Sequence, residues 1–402
     1  MEFRTIEPEE FEAFSTTLSN AFGEPRAEEH DLEVDKALIE PDRTWAAFDE
    51  GRIVGCAGTY SLRTVVPGGS AVGMAGVTTV GVLPTHRRRG ITTTLLGRIL
   101  EQARERGEPF ASLFASQAAI YGRFGFGLAT QGLELDIQLD RVRFVDGLES
   151  SGRVRLLARE DALPVMHGVY ERFTSSRPGA TVHDVTTFSW LLAEKKDEPC
   201  FYVVHEGDDG TPDAFAVYRT KHRWPKGLPH VELKLKQLIA LGPRANTSMW
   251  RYLFDVDLVS NVTTSDRPVD EPLRWQLEET RAARARLFDA LYVRPLDVAS
   301  ALSRRAYTVD GALVLGVTDP FAAEIGGVFA LRVDGGRATC DRTDADPLLV
   351  CSVNEVGSVS LGGATWSALA NAGRVEVRDP AALALADAMF ATGVAPWAPF
   401  FF

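Results

Sequence analysis

One segment constrains this chain more than any other: Val80-Gly81-Val82-Leu83-Pro84-Thr85-His86-Arg87-Arg88-Arg89-Gly90-Ile91-Thr92. A β-branched run ends at a proline, a turn of three arginines follows, and Gly90 stands in the first turn of a helix expected over about Arg88 to Arg106. Ile91, Leu95, Leu96, Ile99, Leu100 and Ala103 form its apolar stripe, and Gly107 closes it. The first amides of a helix lack intrahelical partners and carry the positive end of its dipole. They can cradle a diphosphate, which Gly90 allows close to the backbone and Arg87, Arg88 and Arg89 supplement with charge. Taken alone, the same residues also fit a solvated basic helix start. The segment is neither a Gly-x4-Gly-Lys-Ser/Thr loop nor a Rossmann fingerprint.

Around it, strands and helices alternate. Phe3 to Ile6 reads as a strand, and a helix opening at Pro8 carries Phe11, Phe14 and Leu18 on one face. Arg52 to Val66 and Ala71 to Leu83 flank Pro67-Gly68-Gly69 as an antiparallel hairpin. A buried strand, Phe110 to Ala115, precedes a glycine-rich stretch and another strand to about Leu139. The sequence turns polar around Arg143 to Arg153, and a similar order then resumes: a strand at Val154 to Leu157, a helix at Ala162 to Phe173, strands at Phe201 to His205, Ala214 to Arg219 and Val231 to Leu241, and a helix near Thr247 to Leu258. From Pro295 a short amphipathic helix leads into strands at Ala312 to Val317, Val328 to Val333 and Arg337 to Thr339, with helices around Val353 to Leu361 and Ala381 to Phe390. Three domains are therefore expected, at 1–145, 146–294 and 295–402, consistent with a 402-residue length.

The bulk numbers exclude several classes of function. A net charge of −12 disfavours a nucleic-acid partner, whose phosphates need a basic face, and is compatible with a cationic amine substrate. No run approaches the roughly 18 apolar residues of a membrane span, and the N-terminus shows no secretion signal. Cys56, Cys200, Cys340 and Cys351 are scattered without zinc-type spacing, which suits small buried apolar residues in a reducing cytoplasm, and no metal is expected.

Two further features carry chemistry. Ser116-Gln117-Ala118-Ala119-Ile120-Tyr121-Gly122-Arg123-Phe124-Gly125-Phe126-Gly127 follows the buried strand, and its glycines imply a tight, irregular backbone. Tyr121 there suits packing, or a phenol of ordinary pKa about 10 that protonates a departing thiolate. The last residues, Pro396-Trp397-Ala398-Pro399-Phe400-Phe401-Phe402, are too aromatic for a free tail. Docking would either staple domains or bury the terminal carboxylate of Phe402, raising its basicity.

Pro84 to Gly90 and Ile120 to Gly125, with the length and the terminal Phe402, resemble the enhanced intracellular survival (Eis) family of GNAT acetyltransferases. Arg87, Gly90 and Thr92 fill the positions of the family's Arg/Gln-x-x-Gly-x-Gly/Ala motif, with Thr92 replacing the usual small residue. The resemblance implies two tandem GNAT-like domains, each a mixed sheet flanked by helices, and a C-terminal sterol-carrier-like α+β domain. The central domain lacks the motif, since Gly242-Pro243-Arg244-Ala245-Asn246-Thr247 follows its strand. It also implies an antibiotic-resistance type of N-acetyltransferase acting on primary amines such as aminoglycosides or other polyamines, assembled as a cytoplasmic homohexamer. Acetyl-CoA, the co-substrate, would contact Val80, Gly81 and Val82 on a splayed strand, Arg87, Arg88, Arg89, Gly90, Ile91, Thr92 and Thr93, and Ser116 with Gln117. Gly81 suits a bulge there, or a simple strand twist. Tyr121 would be the general acid and the Phe402 carboxylate the general base for direct attack in a ternary complex, with Phe22 and Glu24 in the acceptor pocket. The competing readings are a non-catalytic acyl-CoA or lipid binder and a protein-lysine acetyltransferase.

Overall fold

The computed structural model describes residues 1–26, 29–193, 199–224, 227 and 230–402, in two compact units. The first holds residues 1–129, 291–392 and 401–402, and the second holds 130–290 and 393–400.

The first unit contains the hairpin, β3 (Arg52–Val65) and β4 (Ala71–Val82), extended on one side by β2 (Thr44–Asp49) and β1 (Glu2–Thr5). On its other side lie β5 (Phe110–Phe114), the distant β14 (Leu291–Pro295) and the short β6 (Gly127–Leu128). Alternate residues of these strands face opposite layers, as the period of two requires. Ala47, Val54, Ala57, Ala75 and Val77 form one core with α3 (Ile91–Glu105), which buries the six stripe residues named above. Each large one contributes about 1.5–3 kcal/mol by leaving water. Ala46, Phe48, Ile53 and Cys56 face the other way, against Phe11 and Phe14 of α1 (Phe11–Phe22), with Leu32 of α2 (Glu29–Leu38) packed beside them.

The third sheet, in the same unit, orders β17 (Arg337–Arg342), β16 (Gly327–Asp334), β15 (Gly311–Thr318), β18 (Leu349–Ser352) and β19 (Glu376–Val377). With α9 (Val298–Ser303), α10 (Val353–Ser360), α11 (Trp366–Asn371) and α12 (Pro380–Phe390) it encloses a core around Trp366, Met389 and Phe390. Arg305 is buried with no carboxylate beside it among the described residues, and burial pushes its guanidinium down to about 10. Its N–H groups donate instead to the carbonyls of Val359, Ser360 and Phe390, at the ends of α10 and α12.

The second unit is a sheet ordered β13 (Arg286–Asp289), β7 (Gln131–Gln138), β12 (Val259–Pro268), β11 (His230–Ala240), β10 (Pro212–Arg223), β9 (Phe201–Glu206) and β8 (Arg153–Leu157). Helices α5 (Arg159–Thr174), α6 (Val185–Leu191), α7 (Pro243–Phe254) and α8 (Leu273–Gln276) complete it.

Some elements differ from their sequence-based expectations, with clear causes. The helix expected from Arg88 starts at Ile91, because Arg88 (φ 63°) and Gly90 (φ 78°) are left-handed. The helix expected at Thr247 to Leu258 starts at Pro243, whose ring fixes a helical φ and needs no hydrogen-bonded N–H at the first position. The strand read up to Leu139 lies in the second sheet, between β12 and β13. Pro295 ends β14, which pairs antiparallel with β5 in the first sheet.

Candidate active site

β4 and β5 run parallel, paired at Met74–Phe110, Ala75–Ala111 and Gly76–Ser112. β4 continues to Val82 and β5 to Phe114 beyond this pairing, so the two strands fork above Gly76. On its other side β4 is bulged against β3: Gly58 opposes Thr78, yet Cys56 opposes Gly81. Thr79, in the bulge, has a φ of 52°, and a β-branched side chain in that region marks strain where the strand turns away. Val80, Gly81 and Val82 thus lie on the departing arm. The bulge is at Thr79, and Gly81 serves another purpose. A Cβ there would meet Ala21 and Leu18 at 3.1 Å and the Phe22 ring at 3.6 Å, so its bareness admits the end of α1.

The arm leads through a 3-10 turn, Pro84–His86, to the arginine turn. His86 Nε2 lies 3.2 Å from Asp49 Oδ2, and Arg87 donates to the Ala21 carbonyl at 3.0 Å. Arg87 therefore holds the turn to α1. Arg88, Arg89 and Gly90 are exposed. The first intrahelical bond of α3 runs from Thr94 N–H to the Gly90 carbonyl at 3.0 Å. The amides of Ile91, Thr92 and Thr93 precede it, and Gly90, at the cap, has no side chain to offer them. A Cβ on Gly90 would meet nothing within 4 Å, so the glycine is required by its left-handed φ and the space beside it stays open. Open space at unpartnered amides and exposed guanidinium groups fits a diphosphate.

Ser116 and Gln117 are exposed at the start of α4 (Ala118–Tyr121), and Tyr121 is buried, 5% exposed, edge-on to Phe126. Burial raises the phenol's pKa and a side-chain hydrogen bond with Ser116 opposes the rise, so the group keeps its proton at neutral pH. The glycine-rich turn after it is braced by residues far along the chain. Asn354 donates to the carbonyls of Gly122 (2.7 Å) and Phe126 (2.9 Å), and Arg294, paired with buried Asp319 at 2.5 Å, donates to that of Phe124 at 2.6 Å. Cβ atoms on Gly125 and Gly127 would collide with the Arg294 guanidinium and the Asn354 carbonyl. These braces escaped the sequence reading because Asn354 and Arg294 lie far along the chain with no motif around them.

At the fork, Phe402 packs over Gly76: a Cβ on Gly76 would stand 3.0 Å from the Phe402 ring. Phe114 packs tilted against Phe401 (centroids 4.2 Å) and edge-on to Phe402 (5.1 Å). Phe22 is 49% exposed beside Gly81, and Glu24 is exposed just after Gly23 ends α1. Cys56, Cys340 and Cys351 are buried, with thiol pKa values raised by burial, and none lies in the fork segments.

Comparison with known proteins fits this geometry. Acetyltransferase (GNAT) domain models match residues 2–129 and 179–295, and a sterol carrier protein domain model matches 298–399. An uncharacterized N-acetyltransferase of Streptomyces avermitilis is 36% identical over 402 residues, covering 98% of each chain. N-acetyltransferase Eis of Mycobacterium tuberculosis is 33% identical over 358 residues, 85% of this chain and 84% of that one. The chain belongs to the Eis family of GNAT N-acetyltransferases. The crystal structure of Eis1 from Mycobacterium abscessus superposes with a TM-score of 0.87 over all of both chains at 32% identity. The two GNAT folds and sterol-carrier-like domain implied by the resemblance are thus borne out, and the chain is an N-acetyltransferase. No helix among the described residues is long and apolar enough to cross a membrane.

Proposed function

We propose that this enzyme transfers the acetyl group of acetyl-CoA to a primary amine of an aminoglycoside or similar polyamine, by direct attack in a ternary complex. The carrying observation is that Phe402 rests on Gly76, where β4 and β5 part. In this reading the terminal carboxylate is that of Phe402, at the fork where the backbone of Val80 to Val82, beyond its pairing with β5, is suited to a pantetheine arm. The amides of Ile91 to Thr93, with Arg88 and Arg89, hold the diphosphate, and Ser116 and Gln117 flank the arm.

In this reading the amine nitrogen attacks the thioester carbon, a C–N bond forms and the C–S bond breaks. The Phe402 carboxylate accepts the amine proton, and the Tyr121 phenol donates to the leaving sulfur. A buried phenol is a weaker acid than one in water, yet a thiolate in the same desolvated place is a stronger base, so the transfer stays feasible. Phe22 and Glu24 border the acceptor side. A cytoplasmic homohexamer belongs to the same reading, carried by the family resemblance.

Release of coenzyme A thiol from acetyl-CoA, measured across aminoglycosides, simple polyamines and lysine peptides, tests the proposal. Turnover with aminoglycosides, lost when a few residues are added after Phe402, is expected. Peptides as the preferred acceptors would move the assignment to protein lysines. Full activity of a C-terminally extended chain would remove Phe402 from the mechanism.

A further inference from the structure

Tyr121 ends a helix of only four residues, α4, which has too few internal bonds to hold its own shape. The chain then passes through a 3-10 turn, Gly122–Phe124, into left-handed Gly125 (φ 81°). The bond from the Phe126 N–H back to the Tyr121 carbonyl is long, at 3.3 Å. The shape of this segment therefore depends on donors from outside it.

Asn354, the second residue of α10, gives both of its amide protons to that segment. One goes to the carbonyl of Gly122, the residue after Tyr121, and the other to that of Phe126, whose ring stands edge-on to the Tyr121 ring with centroids 6.2 Å apart. Ser352 Oγ, 2.9 Å from Asn354 Oδ1, fixes which end of the amide faces the turn. The start of α10 is already capped by Ser352 and Glu355, so the helix itself has no need of an amide side chain at 354. Gly357, three residues on, completes the fit, since a Cβ there would collide with the Val293 carbonyl of β14. With Gly127 it lets α10 come close enough to deliver Asn354.

We infer that Asn354 is a positioning residue for acetyl transfer: from the segment that matches the sterol carrier protein domain, it sets the place of Tyr121 so that the phenol meets the leaving sulfur. The inference rests on the reading of Tyr121 as the general acid. A proton passes only between heavy atoms about 2.6–3.2 Å apart, so a shift of the turn too small to disturb cofactor binding still slows the transfer. The C-terminal domain thereby takes part in the reaction through a residue far from its end.

Asn354→Leu keeps the size of the side chain and removes both donors. With the amine that wild type acetylates fastest, its single-turnover rate should fall about tenfold, while KM for acetyl-CoA stays within about twofold. The deciding measurement repeats the substitution in Tyr121→Phe, where the rate should change by less than about twofold, since misplacing an acid has no effect once the acid is gone. An equal loss in both backgrounds overturns the inference, because it reports general damage to the turn, and so does an unchanged rate in Asn354→Leu. If Tyr121→Phe alone leaves the rate unchanged, the general-acid reading fails and takes the inference with it. Should Asn354→Leu not fold, Asn354→Ser, which admits water to the two carbonyls, carries the same cycle under the same criteria.

Discussion

β4 and β11 occupy the same place in their sheets, and each is bulged against the preceding hairpin strand, at Thr79 in one and near Lys236 in the other. Each pairs in parallel with the next strand for only part of its length, β11 with β12 from Val231 to Leu235. The difference lies in what occupies the fork. In the central sheet, buried Arg267 of β12 donates to the Leu238 carbonyl at 2.6 Å and pairs with Glu271 at 2.7 Å. Trp397 lies over it at 5.0 Å and donates to Asp266 at 3.0 Å, and Gln237 donates to the Pro399 carbonyl at 2.7 Å. The strand carbonyl that could meet a pantetheine amide is thus already satisfied. Leu241 and Gly242 alone join β11 to α7, and Pro243 at the first helical position has no amide to offer. A GNAT sheet therefore keeps its bulge and fork without the means to hold a cofactor. On the proposed reading, the arginine turn and the arm of β4 that β5 leaves unpaired, rather than the fold, make the first sheet a site.

The largest expected effect comes from opening the closed fork. Arg267→Ala leaves Glu271, fully buried, without its charge partner, which should cost about 3–5 kcal/mol in chemical denaturation. Acetyl-CoA titration should still show one site per chain, because α7 lacks the arginine turn. A second site would break the comparison.

Next is Tyr121→Phe in the open fork. Loss of a general acid should lower kcat about 100-fold with KM for acetyl-CoA within about twofold. A rise in KM at constant kcat would reduce Tyr121 to packing.

Asp266 gives a smaller, pH-dependent effect. Burial pushes its carboxyl from 3.8 up to about 6, against the Trp397 hydrogen bond and the Arg267 charge. The folded form then holds a proton that the unfolded chain has released, so this group's contribution to stability is complete below about pH 4 and is lost as pH rises through about 6. The difference in stability between wild type and Asp266→Asn should therefore change by roughly 2 kcal/mol over that window, read from thermal midpoints. A constant difference would show that Asp266 is charged throughout.

The segments of the proposed site stand out in the sequence because each is local. Val80 to Thr93 and Ser116 to Tyr121 are short segments whose glycines, arginines and tyrosine act through backbone shape and charge next to themselves. Long-range pairing left no such trace. That β14 adjoins β5, that Asn354 and Arg294 brace the Tyr121 turn, and that Arg267 fills the second fork depend on contacts across many residues of sequence. Gly81 shows the limit inside a legible motif: its residue type suggested a bulge, and tertiary packing of α1 is what requires it. Gly76 passed without remark, though Leu62 and Phe402 leave no room for a side chain there.

The smallest effect sharpens the comparison most, because it uses one substitution at two helix caps. Gly90 caps α3 with a φ of 78°, and Gly242 caps α7 with a φ of −160°. An alanine at Gly242 enters extended backbone with nothing within 4 Å of its Cβ, and acetyl-CoA KM and stability should both stay within experimental error. At Gly90 the space is equally open, but the left-handed backbone costs an L-residue about 1–2 kcal/mol, which the loop relieves by rotating the cap. Rotation turns the amides of Ile91 to Thr93 away from a common point, so KM for acetyl-CoA should rise about tenfold with kcat little changed. Space is the same at both caps and only the backbone differs, so equal responses would mean that α3's cap geometry is not what holds the cofactor.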